Sequence, residues 1–139
     1  LLRDTDRYFA ALDSFREGDA GPIIREFSQA SLFAASTGRL LVDDLDAIRQ
    51  GAAERITARR DAAAWSLNDL LIGQPVVNTA YVASALGVSK VAAQNAIDHL
   101  AAAGILTEST KRVRNRVWQA NEILARLDEF AAGIRRPGV

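Results

Sequence analysis

Apolar residues fall at three- and four-residue spacings over most of the chain, the period of a helix with one face turned inward. Phe9, Leu12 and Phe15 share such a face, and Gly18 ends the segment. Pro22 stands where the next helix should begin, because proline loses nothing at the first helical position. Ile23, Ile24, Phe27, Ala30 and Phe33 or Ala34 keep the spacing, and Ser36-Thr37-Gly38 is expected to kink or end that helix. Leu41, Leu45, Ile48, Ala52 and Ile56 extend an apolar stripe through Val42 to Arg60. A stripe of this kind serves as a stem packed on a neighbouring domain or as a two-helix dimer seam.

Past Asp61 the elements shorten. Trp65, Leu67, Leu70 and Leu71 predict a helix stopped at Gly73 and Pro75. Val76-Val77 is a short apolar run, after which Asn78 or Thr79 can cap a helix over Tyr81 to Leu86, with Val82 and Leu86 one turn apart. Gly87-Val88-Ser89 is a turn, and Ser89 caps a third helix whose inward stripe is Ala93, Ala96, Ile97 and Leu100, closed by Gly104. Ile105 to Ser109 reads as a strand, Lys111 to Asn115 as a basic loop, and Arg116-Val117-Trp118 as the return strand. Asn121 is expected to cap a last helix with Ile123, Leu124, Leu127 and Phe130 inward.

Helix, Ala-Leu-Gly-Val-Ser turn, helix, Ala-Gly-Ile-Leu and basic hairpin, in that order, resemble a winged helix-turn-helix from Ser66 to about Ala120. Gly87 can take the positive φ of a tight turn, and small Ala92, Ala93 and Ala96 let the third helix approach its neighbours closely. The expected fold is mainly α with a small β-hairpin: a helical stem plus a C-terminal winged helix-turn-helix. Residues 1–56 form terminal helices and stem, 57–134 the winged helix, and 135–139 a frayed tail. A three-helix bundle with a disordered basic loop is the alternative.

A chain of 139 residues can bury roughly two-thirds of its unfolded surface, enough for one compact domain or two small ones. No apolar run reaches the roughly 20 residues a membrane span needs, and the N-terminus lacks a secretory layout. The absence of cysteine excludes disulfides and fits a cytoplasmic protein. There is no methionine, even at position 1, so the sequence is read as the C-terminal fragment of a longer chain. Arginine far outnumbers lysine, 15 against 2, which suggests a GC-rich bacterial genome.

Formal net charge is zero, but the charge is unevenly placed. Leu1 to Ile56 carries ten acids against seven arginines, a net of −3. Gly87 to Ala120 carries five bases against two acids, a net of +3. On a winged helix the outward face of the third helix would offer Ser89, Lys90, Val91, Gln94, Asn95, Asp98 and His99. Gln and Asn can pair with adenine, Lys90 can reach a guanine or a phosphate, and N-terminal residues of such a helix meet base edges. The wing residues Lys111, Arg112, Arg114, Asn115 and Arg116 would lie along phosphates or enter the minor groove. Double-stranded DNA is therefore the favoured partner, with a homodimer through the stem or docking of a target protein as alternatives. Asp98 opposes phosphates, and a basic loop is often only a solvated tip.

Other chemistry is sparse. His99 is the sole histidine and has no second ligand at metal spacing, so no metal site is expected. Asp43-Asp44 and Asp46 fit a solvated helix face as well as a carboxylate pair, and Trp65 and Trp118 read as core. No nucleophile elbow, P-loop, GxGxxG or HExxH occurs, so no catalytic residue is assigned.

Tyr8-Phe9-Ala10-Ala11-Leu12, Arg16-Glu17-Gly18-Asp19 and Gly21-Pro22-Ile23-Ile24-Arg25-Glu26-Phe27 resemble the region just downstream of the active-site motif in Fic-family proteins. There a "YY-x-AL…R-x-GD" segment leads into a helix beginning near "P-W-x-x-F"; here Tyr8-Phe9 and Pro22-Ile23 stand at those places. A C-terminal winged helix recurs in that family. The resemblance implies a parent protein adenylyltransferase (AMPylation), using ATP and a divalent metal and carrying an HPFx[DE]GNGRxxR loop. That loop is absent from this sequence, where His99 is followed by Leu100-Ala101-Ala102. No cofactor is therefore expected for this chain itself. The family's [ST]xxxE[GN] inhibitory pattern is not met either, since Ser14-Phe15-Arg16-Glu17-Gly18 has one spacer too few.

Overall fold

Three helices and a three-stranded sheet make the better-packed part of the molecule, and a few large side chains set their arrangement. The structure is a computed structural model that describes residues 5–59, 62–109 and 116–135. Its elements are α1 (Thr5–Arg16), α2 (Gly21–Arg55), α3 (Ala63–Leu70), β1 (Val76–Val77), α4 (Thr79–Leu86), α5 (Lys90–Ala102), β2 (Thr107–Glu108), β3 (Trp118–Gln119) and α6 (Asn121–Arg135). The protein is thus mainly helical with a small antiparallel sheet of order β1-β3-β2. Among the described residues no helix is long and apolar enough to cross a membrane.

The chain divides into two compact units, Leu1–Asp43 with Leu127–Val139, and Asp44–Arg126. The division falls inside α2 and α6. In the Asp44–Arg126 unit, Leu67 and Leu71 from the α3 region, Val82 from α4, and Ala93, Ile97 and Leu100 from α5 are all essentially inaccessible. Each large aliphatic side chain so buried contributes about 1.5–3 kcal/mol. The alanines at 93 and 96 bring α5 close to its neighbours. Ile105, Leu106, Val77, Trp118 and Ile123 extend this core through the sheet into α6, and Ala52 and Ile56 of the α2 region close it.

Several ends are made as their residues dictate. Gly87 sits in the left-handed region (φ 65°, ψ 32°) at the end of α4, and Gly104 does the same after α5 (φ 70°). Asn78 Oδ1 accepts from Tyr81 N at 2.8 Å, and Ser89 Oγ accepts from Ala92 N at 3.1 Å, capping α4 and α5.

Four expectations need correction. Helix α2 runs on through Ser36-Thr37-Gly38. The hydroxyls of Ser36 and Thr37 both donate to the Phe33 carbonyl inside the helix, and a lone glycine costs a helix only about 1 kcal/mol. The hairpin is part of a three-stranded sheet, because Val76 and Val77 pair with Gln119 and Trp118. Asn121 is the first residue of α6 rather than its cap, and its Oδ1 accepts from Gln119 Nε2 at 2.7 Å. Trp65 is half-buried, its Nε1 donating to the carbonyl of Arg59 at 2.9 Å, so it edges the core, whereas Trp118 is fully within it.

Of the stripe in the Asp44–Arg126 unit, Ala52 and Ile56 are buried and Leu45 and Ile48 half-buried. Asn68 Nδ2 of α3 donates to the Arg49 carbonyl at 3.1 Å, and Arg49 bridges Asp46 and Asp69. Arg126 Nε meets Asp44 at 2.7 Å, and Arg55 meets Glu122 at 3.1 Å, joining α2 to α6. The other unit is different. There α1 buries only Ala11, Arg7 pairs with Glu26, and Phe9, Phe15, Ile24, Phe27, Leu32 and Leu40 are exposed. Phe9 and Phe15 share a helical spacing but not a buried face. Residues 136–139 of the expected tail lie outside the described residues.

Candidate nucleic-acid interface

The starts of α4 and α5 open on one cleft. The αL turn at Gly87 returns the chain so that α5 packs across α4, and Thr79 Oγ1 then donates to Gln94 Oε1 at 2.7 Å. Beside them the β3 approach supplies Arg116, Val117 and Trp118. These residues, with Asn78, Ala80 and Lys90, line a cleft of about 400 Å³. Unsatisfied N–H groups at helix starts carry partial positive charge, and Lys90 and Arg116 add full cations. The cleft is therefore suited to anionic groups.

Arg116 is held from two sides. Its Nε and Nη2 donate to the two carboxylate oxygens of Glu108 at 2.8 and 2.6 Å. The guanidinium also lies 4.8 Å from the Trp118 ring centroid, within cation–π range. Hydrogen bonding to Glu108 raises the Arg116 pKa above the ordinary value, with the charge of Asp98 adding to it. The same bonds hold the Glu108 carboxyl below its ordinary value against a smaller desolvation effect.

The residues expected on the recognition face are brought together on α5 but differ in availability. Ser89 is exposed and committed as a cap; Lys90 is exposed at the cleft. Gln94 is half-buried and spans two partners, accepting from Thr79 and donating from Nε2 to Asp98 Oδ1 at 2.8 Å. Asn95, Asp98 and His99 line a separate shallow depression of about 220 Å³. Val91, on the second position of α5, is 72% exposed. Of the residues expected on a wing, Arg116 stands at the cleft, and Lys111, Arg112, Arg114 and Asn115 lie outside the described residues.

Sequence reasoning missed Thr79, Glu108 and Trp118 as parts of this site. Glu108 and Trp118 are direct cross-strand partners, and Arg116 lies two residues from Trp118, so all three share a sheet face. Only the register shows this. Among the described residues no group of three histidine, aspartate or glutamate side chains could hold a metal. No protein family matches the chain, and no curated protein is similar to it in sequence.

Proposed function

We propose that the Asp44–Arg126 unit is a winged helix that binds double-stranded DNA, with α5 as the recognition helix and the segment between β2 and β3 as the wing. The cleft carries this reading: two helix starts, Lys90 and Arg116 converge on one surface, and the sequence ahead of Arg116 carries Lys111, Arg112 and Arg114. The order α3-β1-α4-α5-β2-β3, with β3 central in the sheet, supports it. Exposed Val91 offers the apolar contact that a thymine methyl takes, and exposed Asn95 a donor–acceptor pair for adenine. Phosphates along the cleft would set orientation.

The test is fluorescence anisotropy of the whole chain with a mixed-sequence DNA duplex at rising salt. Binding should weaken steeply with salt, and Arg112→Ala with Arg114→Ala should lower affinity for every sequence. A folded chain that ignores DNA at low salt refutes the reading.

A second reading belongs to the other unit, where exposed Phe27, Leu32, Leu40 and Val42 favour contact with a protein. Together with the resemblance of Tyr8–Phe27 to the Fic segment, this supports a place for the chain as the C-terminal region of a bacterial, cytoplasmic Fic-type adenylyltransferase. The winged helix would then place or regulate the enzyme. Reading the residues encoded ahead of Leu1 tests it: an HPFx[DE]GNGR loop is expected there, and an unrelated sequence sinks the assignment.

A further inference from the structure

We propose that Glu108 is a built-in restraint on the DNA site: by pairing with Arg116 it withholds that cation from phosphates, weakening sequence-independent binding. The inference rests on the DNA-binding reading above. Its ground is the geometry around one guanidinium. Glu108 on β2 grips Arg116 through both carboxylate oxygens, at 2.8 and 2.6 Å, a fork-to-fork arrangement that fixes the plane of the group. The Trp118 ring beneath holds that plane at the cleft wall. Asp98 of α5, itself oriented by Gln94, adds a weaker negative charge in the field of the same cation.

A phosphate entering the cleft must therefore either displace Glu108 or accept its negative charge nearby. Both lower the return from Arg116. Because phosphate contacts are the same for every sequence, the restraint subtracts from non-specific affinity. A larger share of the total is then left to base-facing residues such as Val91 and Asn95. Glu108 is exposed on a two-residue strand whose pairing uses only backbone atoms, so replacing its charge leaves the core untouched.

Glu108→Gln tests this in the whole chain, using a mixed-sequence DNA duplex titrated over roughly 50–200 mM salt. Releasing Arg116 to one phosphate should tighten binding at low salt and steepen the slope of log K against log salt by about 0.9. Over a fourfold rise in salt the variant should then lose about 3.5-fold more affinity than the wild type. Adding Arg116→Ala to Glu108→Gln should abolish the gain, which ties the effect to this cation. Equal affinity and slope in Glu108→Gln and wild type overturn the proposal while leaving DNA binding standing. Weaker binding by Glu108→Gln also overturns it, because Glu108 would then be positioning Arg116 for contact. Absence of DNA binding by either chain overturns the DNA reading and this inference with it.

Discussion

Replacing Gly87 separates backbone strain from steric fit at the turn that places α5. The residue sits at φ 65° and ψ 32°, and a Cβ built there would meet no atom within 4 Å. The cost of a side chain is therefore conformational alone. An alanine in the left-handed region pays about 1–2 kcal/mol. Loss of glycine's freedom in the unfolded chain returns about 0.4–1 kcal/mol. Gly87→Ala should thus destabilise by about 1 kcal/mol net. Urea unfolding followed by circular dichroism reads this as a midpoint lower by about 0.3–1 M at unchanged m. Gly87→Asn should cost less, because asparagine tolerates this region, and Gly87→Val more, because β-branched residues do not. An alanine cost above about 3 kcal/mol, or asparagine as costly as valine, would show that packing rather than φ decides the position and refute the argument.

Two further outcomes are expected. Hydrogen bonds from Arg49 depress the Asp46 carboxyl, and those from Arg116 depress Glu108, from ordinary values of 3.8 and 4.5. A carboxyl that protonates more readily unfolded than folded stabilises the fold above its unfolded pKa and loses that contribution as pH falls through its folded one. Urea midpoints should therefore fall as pH drops below about 4.5, and Asp46→Asn with Glu108→Gln should flatten that decline; a double variant as acid-sensitive as the wild type contradicts this. On α5, Asn95→Ala should alter preference across a panel of duplexes with unchanged thermal stability. Gln94→Ala should lower stability too, because it releases Thr79 and Asp98; equal melting temperatures for the two variants would count against that distinction.

Much of the Asp44–Arg126 unit is legible in the sequence because its signals are local. Ala93, Ala96, Ile97 and Leu100 lie at helical spacing and are all buried, and Ser89, Gly87 and Gly104 act through their own backbone neighbours. What escapes is long-range. Val76-Val77 is too short for alternation to mark it, and it becomes a strand only when Trp118 and Gln119 arrive beside it. Phe9 and Phe15 satisfy a helical period, yet each is more than half exposed, since periodicity shows which residues share a face and not whether anything covers it. Within the site, Lys90 and Arg116 could be picked out by charge. The capture of Gln94 by Thr79 and of Arg116 by Glu108 could not, because each depends on packing between separate elements.

The hydrogen bond from Asn68 to the Arg49 carbonyl bears on how this protein can be cut. Asn68 is the buried polar side chain of α3, and its partner lies on α2, ahead of the boundary near residue 57 that the sequence suggests. A chain shortened to begin there would lose that acceptor, remove Ala52 and Ile56 from the core, and remove Arg55 and Asp44, which pair with Glu122 and Arg126. The smallest excisable piece therefore starts no later than Asp44, and the last turns of α2 belong with the Asp44–Arg126 unit, turning Ala52 inward while Gln50, Gly51 and Glu54 stay exposed.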